Sequence, residues 1–203
     1  MILYLCVLDL EATCGKHTSP EIIEFSSVML RWEKNEITEI GQFQQFVRPS
    51  IHPVVSLFCE KLTGITQGTV NKGASLKETV AKHLKWIRDI TNSKDVKDIR
   101  ERVMIVTCGA WDIEMMLPAD LERNNLDTDP VYEQYVNAKD LFSTVTGIRT
   151  SKSSMTEMMK YYDLELKGRH HSGIDDSRNI SRIITEMIKQ GLTLEVFIEH
   201  IKK

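Results

Sequence analysis

The chain opens with an unbroken apolar run that leads directly into two carboxylates. The run covers residues 2–8, and the motif DLEATC follows at residues 9–14. A continuous apolar run is typical of a strand in the middle of a sheet, covered on both faces. Because side chains alternate along a strand, Asp9 and Glu11 at its end point the same way. The sequence therefore predicts a buried central strand that ends in a pair of acidic side chains.

Two like charges held this closely are unfavourable unless a cation joins them. Hard oxygen ligands favour magnesium or manganese, so Asp9 and Glu11 are candidate metal ligands. The alternative is the solvated end of a strand. Further carboxylates and a base downstream would favour the metal site.

The length of the chain indicates a single domain over residues 1–203. Hydrophobic residues make up 41% and charged residues 27%, as in a soluble globular protein. The net charge of −3 argues against bulk electrostatic binding to nucleic acid but leaves room for a local basic groove.

The cysteines and the apolar segments indicate an intracellular protein, cytoplasmic or nuclear. The four cysteines have no CxxC spacing, and three of them lie in apolar runs, which favours buried free thiols over disulfides or zinc. No apolar stretch approaches the roughly 20 residues of a membrane span, so we expect no membrane partner. The N-terminal apolar run lacks the basic segment of a signal peptide.

The rest of the sequence alternates between strand and helix patterns. Strands are predicted at residues 21–32, 38–47, 103–108 and 136–139, with a hairpin turn at Lys34-Asn35-Glu36. Helices are predicted at residues 56–64, from Ser75 onward, and at residues 112–123, 154–162, 175–190 and 193–201. The highly charged residues 92–102 are predicted to form a solvated connector. This order indicates an α/β protein with a mixed sheet flanked by helices.

Two later segments carry further candidate residues. Asp112 follows the strand at 103–108, where ligands collect in α/β sheets, although it could simply cap the next helix. The segment GRHHSGIDDSRN at residues 168–179 places His171 before a helix and Asp176 in its first turn. A histidine can act as a general base near neutral pH. The alternatives are a surface histidine and a helix cap at Asp175 or Asp176.

Together these segments supply four carboxylates and a histidine from three separate parts of the chain. That set matches what hydrolysis of a phosphodiester by two divalent ions requires. The chain also resembles the DEDDh 3′–5′ exonucleases of the DnaQ-like group, and within them the Eri-type branch. The resemblance spans about residues 3–190 and rests on DLEATC, EIIEFSSV, FQQFVRP, LFCEKLTGIT, Gly-Ala-Trp-Asp and GRHHSGIDDSRNISRI.

The resemblance implies an RNase H-like fold, with a mixed five-stranded sheet flanked by helices. It implies two Mg²⁺ ions, for which Mn²⁺ can substitute, and His171 as the base. The metal ligands that it implies are Asp9, Glu11, Asp112 and Asp176. His170 and Asp175 would be supporting neighbours, and the spacing leaves a shift of one residue open.

The resemblance also implies a site for the terminal nucleotide. Carried over by position, its residues are Ala12, Thr13, Phe58, Leu62, Thr63 and Trp111. An aromatic side chain gives a base of any sequence a stacking surface. The alternative for Phe58, Leu62 and Trp111 is ordinary core packing.

The activity implied is that of a 3′–5′ exoribonuclease. Its substrates would be single-stranded or overhanging RNA 3′ ends, and its products nucleoside 5′-monophosphates. The choice of RNA over DNA rests on the family branch. A DNA exonuclease of proofreading type could use the same site. A catalytically idle RNA-binding adaptor is a third possibility, but binding alone would not require a base and four metal ligands.

Overall fold

The fold is built on a mixed five-stranded sheet, as the sequence and the resemblance predicted. The computed structural model describes residues 2–15, 19–34 and 36–202. In this part of the chain the strands run in the order β3-β2-β1-β4-β5. Their bounds are β1 Ile2–Ala12, β2 Ile22–Glu33, β3 Glu36–Phe46, β4 Val103–Thr107 and β5 Tyr135–Asn137. β1–β2 and β2–β3 are antiparallel pairs, whereas β1–β4 and β4–β5 are parallel.

Helices cover both faces of this sheet. They are α1 Leu57–Thr63, α2 Gln67–Asn71, α3 Leu76–Thr91, α4 Val96–Arg102, α5 Leu117–Arg123, α6 Ala138–Thr146, α7 Met155–Tyr161, α8 Gly173–Lys189 and α9 Leu194–Glu199. A π-helical turn, Trp111–Met116, precedes α5. No helix among these described residues is long and apolar enough to cross a bilayer.

The alternation of β1 side chains decides which face of the sheet receives the acidic motif. Leu5 and Val7 pack in the same cluster as Ile183 of α8, whereas Cys6 and Leu8 face the opposite layer. The odd-numbered residues that continue the strand therefore also lie on the α8 side. Burial on both faces explains why the run at residues 2–8 is apolar without interruption.

Serine residues cap three helices near the starts that the sequence predicted. Ser56 caps α1, and Gly64 ends that helix in a left-handed conformation with φ 78°. Ser75 and Ser154 form capping boxes with the glutamates three residues on, at the starts of α3 and α7. These signals depend only on neighbouring residues, so the sequence shows them directly.

Several predicted boundaries are wrong. Residues 92–102 are not only a solvated connector, because they contain α4, which is capped by Asp95 and anchored by the buried Ile99.

The predicted strand 136–139 is β5 Tyr135–Asn137. It ends at Asn137 because the side chain of this residue accepts a hydrogen bond from the Lys139 N–H and so starts α6. No sequence pattern predicted α6 or the short α2. Asn35, in the predicted hairpin turn, lies outside the described residues.

Candidate metal and nucleotide site

Two carboxylates lie side by side on the α8 face of β1. The strand continues through Ala12, so Asp9 and Glu11 lie inside it. The prediction that they lie at its end is wrong. The physical reason is that β2 pairs with β1 beyond the apolar run. Asp9 is opposite Ser26, and Glu11 is opposite Glu24. The sheet therefore fixes the position of both carboxylates.

Asp112 joins them through the turn after β4. The chain reverses at Gly109, whose φ is 118° and whose N–H donates to Asn137 Oδ1 at 3.0 Å. Asp112 accepts a hydrogen bond from the backbone of Leu10, the residue between the two β1 carboxylates. The helical turn begins after Ala110, so Asp112 is not its N-cap. The capping alternative is therefore wrong.

The loop before α8 and the first turn of α8 complete the site. Asp176 is 5% exposed, and its Oδ2 accepts a hydrogen bond from the His171 N–H at 2.9 Å. Single carboxylate oxygens of Asp9, Glu11 and Asp176 lie within 4.8 Å of one another. His170 and His171 also each place a ring nitrogen within 4.8 Å of an Asp176 oxygen. The three segments predicted to converge do converge.

These carboxylates disfavour one another's ionised form. Burial, followed by the charges of its carboxylate neighbours, raises the pKa of Asp9 well above its ordinary range. The same causes raise the pKa of Glu11 to about 8. Burial raises the pKa of Asp112 to about 7, and it also raises the pKa of Asp176. An array of oxygen donors that carries this excess of negative charge fits hard divalent cations.

A cation that no sequence pattern predicted lies beside this array. Lys139, in the first turn of α6, lowers the pKa of Asp112 and so opposes the effect of burial there. Within the described residues it forms no ion pair. The sequence signal that could have indicated Lys139 is its position at the end of the predicted strand at 136–139. The parallel strands β4 and β5 end at the same edge of the sheet, so residues that follow them lie close together.

A cavity of about 340 Å³ opens next to Glu11. Four of the six residues predicted to bind a nucleotide line it, namely Ala12, Thr13, Leu62 and Trp111. Trp111 is 57% exposed, so the core-packing alternative does not hold for this residue. The cavity therefore presents an aromatic surface and an aliphatic one beside the carboxylates.

Phe58 and Thr63 do not line this cavity. Thr63 is buried, and its hydroxyl donates to the Cys59 carbonyl at 2.9 Å and accepts from the Ile65 N–H at 3.1 Å. Phe58 is 61% exposed and lies one helical turn before Leu62, which rules out core packing. Their predicted contacts with a nucleotide stay predictions.

The mixed sheet with an acidic site at one end is the arrangement expected of the DEDDh exonuclease fold. The family model described as Exonuclease, RNase T, matches residues 6–184, and the chain belongs to this family. The relationship confirms the resemblance drawn from the motifs. It also implies dependence on a divalent metal.

Individual relatives are similar over most of the chain. Human 3′-5′ exoribonuclease 1 is 31% identical over 199 residues, which cover 95% of this chain and 54% of that protein. Human ERI1 exoribonuclease 3 is 34% identical over 190 residues, covering 93% of this chain and 54% of that protein. The chain thus spans about half the length of these curated relatives.

A solved structure shows the same fold. The nuclease domain of 3′hExo, a DEDDh family member bound to rAMP, is 30% identical, with a TM-score of 0.82 over 93% of this chain and 92% of that one. Cell-death related nuclease 4 has a TM-score of 0.80 at 21% identity and supports the fold alone.

Proposed function

We propose that this chain is a 3′–5′ exoribonuclease that releases nucleoside 5′-monophosphates from single-stranded or overhanging RNA 3′ ends. The observation that carries the proposal is the convergence of four carboxylates and a histidine at one end of the sheet, next to an open cavity. Relatives named as exoribonucleases, at 31–34% identity over 93–95% of the chain, support the RNA substrate.

Asp9, Glu11, Asp112 and Asp176 would hold two Mg²⁺ ions, for which Mn²⁺ can substitute. The donor set fits these ions because it consists of carboxylate oxygens whose mutual repulsion a cation relieves. Such ions, when bound, activate water and stabilise the leaving oxygen of the sugar. The protein's own contribution is to hold the ligands in place before the substrate arrives.

His171 would accept the proton of the attacking water. Burial lowers the pKa of His171, and the neighbouring His170 acts in the same direction. A lowered pKa keeps the imidazole neutral at pH 7, which is the form that a general base needs. Asp176 positions His171 by accepting its backbone N–H at 2.9 Å.

The cavity would hold the terminal nucleotide with its base against Trp111 and Leu62. A stacking surface of this kind accepts every base, as an enzyme that shortens RNA stepwise requires. We also propose an intracellular location, cytoplasmic or nuclear. It is supported by the four cysteines, all of which are free thiols.

A 5′-labelled RNA oligomer with a single-stranded 3′ tail tests the proposal. We expect a ladder that shortens from the 3′ end with Mg²⁺ and no cleavage with EDTA. A matched DNA oligomer distinguishes the substrates, and faster cleavage of DNA would favour the proofreading type of enzyme. Binding of RNA without cleavage of either oligomer would contradict the proposal and favour an adaptor.

A further inference from the structure

Glu24 is a buried carboxylate that has no role in the proposed chemistry. It lies on β2 directly opposite Glu11 and is 1% exposed. No basic side chain in the described part of the chain forms an ion pair with it. A buried charge without a counter-ion is costly unless hydrogen bonds stabilise it. The hydrogen-bond donors around Glu24 therefore indicate the structural role of this carboxylate.

Four neutral donors surround the Glu24 carboxylate. Ser26 Oγ donates to Oε1 at 2.9 Å and Gln44 Nε2 donates to Oε1 at 2.8 Å, both from within the sheet. The other two donors are backbone groups of α8. The Gly173 N–H donates to Oε2 at 3.0 Å, and the Ile174 N–H donates to Oε1 at 3.3 Å.

These two bonds replace the usual cap of α8. Ser172 occupies the N-cap position but its side chain makes no capping hydrogen bond. The first backbone N–H groups of a helix have no partner inside the helix, and a negative charge there is also favoured by the helix dipole. From β2, Glu24 supplies both an acceptor for these N–H groups and a negative charge at the start of the helix.

The start of α8 is pressed against the sheet at the same point. A Cβ on Gly173 would lie 3.1 Å from Ser26 Oγ, 3.2 Å from the Asp9 carbonyl oxygen and 3.3 Å from Glu24 Cδ. The first turn of α8 therefore has little freedom to shift relative to β1 and β2. The sheet therefore fixes the position of the residues in that turn.

That turn positions two residues of the proposed site. Asp176 lies in the first turn of α8, and His171 is bound to it through a backbone hydrogen bond of 2.9 Å. Asp9 and Glu11 lie on β1, which pairs directly with the strand of Glu24. Glu24 thus links the part of the site on the sheet to the part on α8.

We propose that Glu24 is a positioning residue, which holds the first turn of α8 so that Asp176 and His171 face the carboxylates of β1. This inference rests on the proposed nuclease function of the site. The proposal assigns Glu24 no contact with a metal or with RNA. Its effect on catalysis passes through the hydrogen bonds to Gly173 and Ile174.

Glu24→Gln in the full chain tests this role, because the amide keeps the length of the side chain and loses the charge. Gln44→Ala is the matched control, since it removes a donor to the same carboxylate and leaves α8 untouched. For Glu24→Gln we expect kcat on the RNA oligomer to fall at least tenfold, with KM within about twofold. We expect amide hydrogen exchange at residues 173 and 174 to become at least tenfold faster. The control should stay within twofold of wild type in both measurements.

Glu24→Asp distinguishes the effect of side-chain length from the effect of charge. The shorter side chain keeps the carboxylate but withdraws it from α8, so we expect the same loss of kcat and the same faster exchange. Full activity in Glu24→Asp would mean that negative charge alone suffices, and would overturn the inference.

Two further outcomes are informative. Unchanged kcat in Glu24→Gln, with wild type active, would overturn the inference and leave the proposed function standing, even if the melting temperature fell. Inactive wild type on RNA and DNA would defeat the proposed function instead, and the exchange measurement would still report whether Glu24 holds α8.

Discussion

At the scale of single residues, His171 has an uncommon backbone conformation. Its φ is 64°, in the left-handed region, where residues other than glycine are uncommon. Its ring stacks on His170 with centroids 4.0 Å apart. His170 Nδ1 in turn lies 3.3 Å from Asp176 Oδ1. Both histidines therefore approach the same carboxylate, and only substitution can separate their roles.

His171→Asn should remove the base with little disturbance of the backbone, because asparagine tolerates positive φ. We expect kcat to fall by about 100-fold or more, the lower end of what a general base contributes. His170→Asn is the matched variant and should retain most of the activity. Single-turnover cleavage of the RNA oligomer measures both. Loss of activity in His170→Asn alone would assign the base to His170.

Trp111→Ala should weaken binding of the terminal nucleotide. Stacking of a base on an aromatic ring contributes about 1–3 kcal/mol, so we expect KM to rise at least fivefold. Met115→Ala is the control, because Met115 lies in the same helical turn, is similarly exposed at 55%, and does not line the cavity. Equal KM values for the two variants, measured with an RNA oligomer, would place the base elsewhere.

At the scale of elements, the start of α8 lies so close to the sheet that an added methyl group should disturb it. Gly173→Ala would bring a Cβ to 3.2 Å from the backbone oxygen of Asp9, which cannot move without distorting β1. Because displacements of about 1 Å can cost 100-fold in rate, we expect kcat to fall about tenfold from a shift of a few tenths of an ångström.

Gly68→Ala is the control for this substitution. Gly68 lies in α2, and the nearest atom to its added Cβ would be Thr66 Oγ1 at 3.7 Å. Alanine in a helix is also more favourable than glycine, so this variant should melt no lower than wild type. Thermal melts and the cleavage assay compare the two variants. Wild-type kcat in Gly173→Ala would show that α8 can move without loss of function.

At the scale of the whole molecule, the carboxylate site should make stability depend on pH and on metal. The pKa of Glu11 is about 8 and that of Asp112 about 7 in the folded protein, against 4.5 and 3.8 as ordinary values. The folded state thus binds these protons more tightly than the unfolded state. Their contribution to stability is complete below about pH 4 and is lost as the pH rises through 7 to 8.

We therefore expect the melting temperature of the metal-free protein to fall between pH 6.5 and 8. This window avoids the opposite effect of buried His83, whose pKa is lowered to about 3 and which destabilises the fold as the pH falls below 6.5. Mg²⁺ should raise the melting temperature more at pH 8 than at pH 6.5. Asp112→Asn should flatten the dependence in melts monitored by fluorescence. A metal-free melting temperature that rises across this window would contradict the expectation.

Much of the fold was predictable because its signals are local. The capping boxes at Ser75 and Ser154 and the apolar stripe of α8 need only neighbouring residues. α4 was missed because its charged residues outweigh its single buried anchor, Ile99. The motifs also selected the five residues that the structure brings together. Phe58 and Thr63 fell outside the cavity because the direction of a side chain on α1 depends on how that helix packs.

The sequence by itself determined which side chains could supply the chemistry and which elements carry them. It did so because the period of a strand and the chemistry of helix caps are properties of adjacent residues. Only the tertiary structure decided that Asp9 and Glu11 lie within a paired strand, that Lys139 stands beside Asp112, and that Glu24 caps α8. The last of these contacts joins residues 149 positions apart. No local pattern encodes such a contact, because it exists only once the sheet and the helix have packed together.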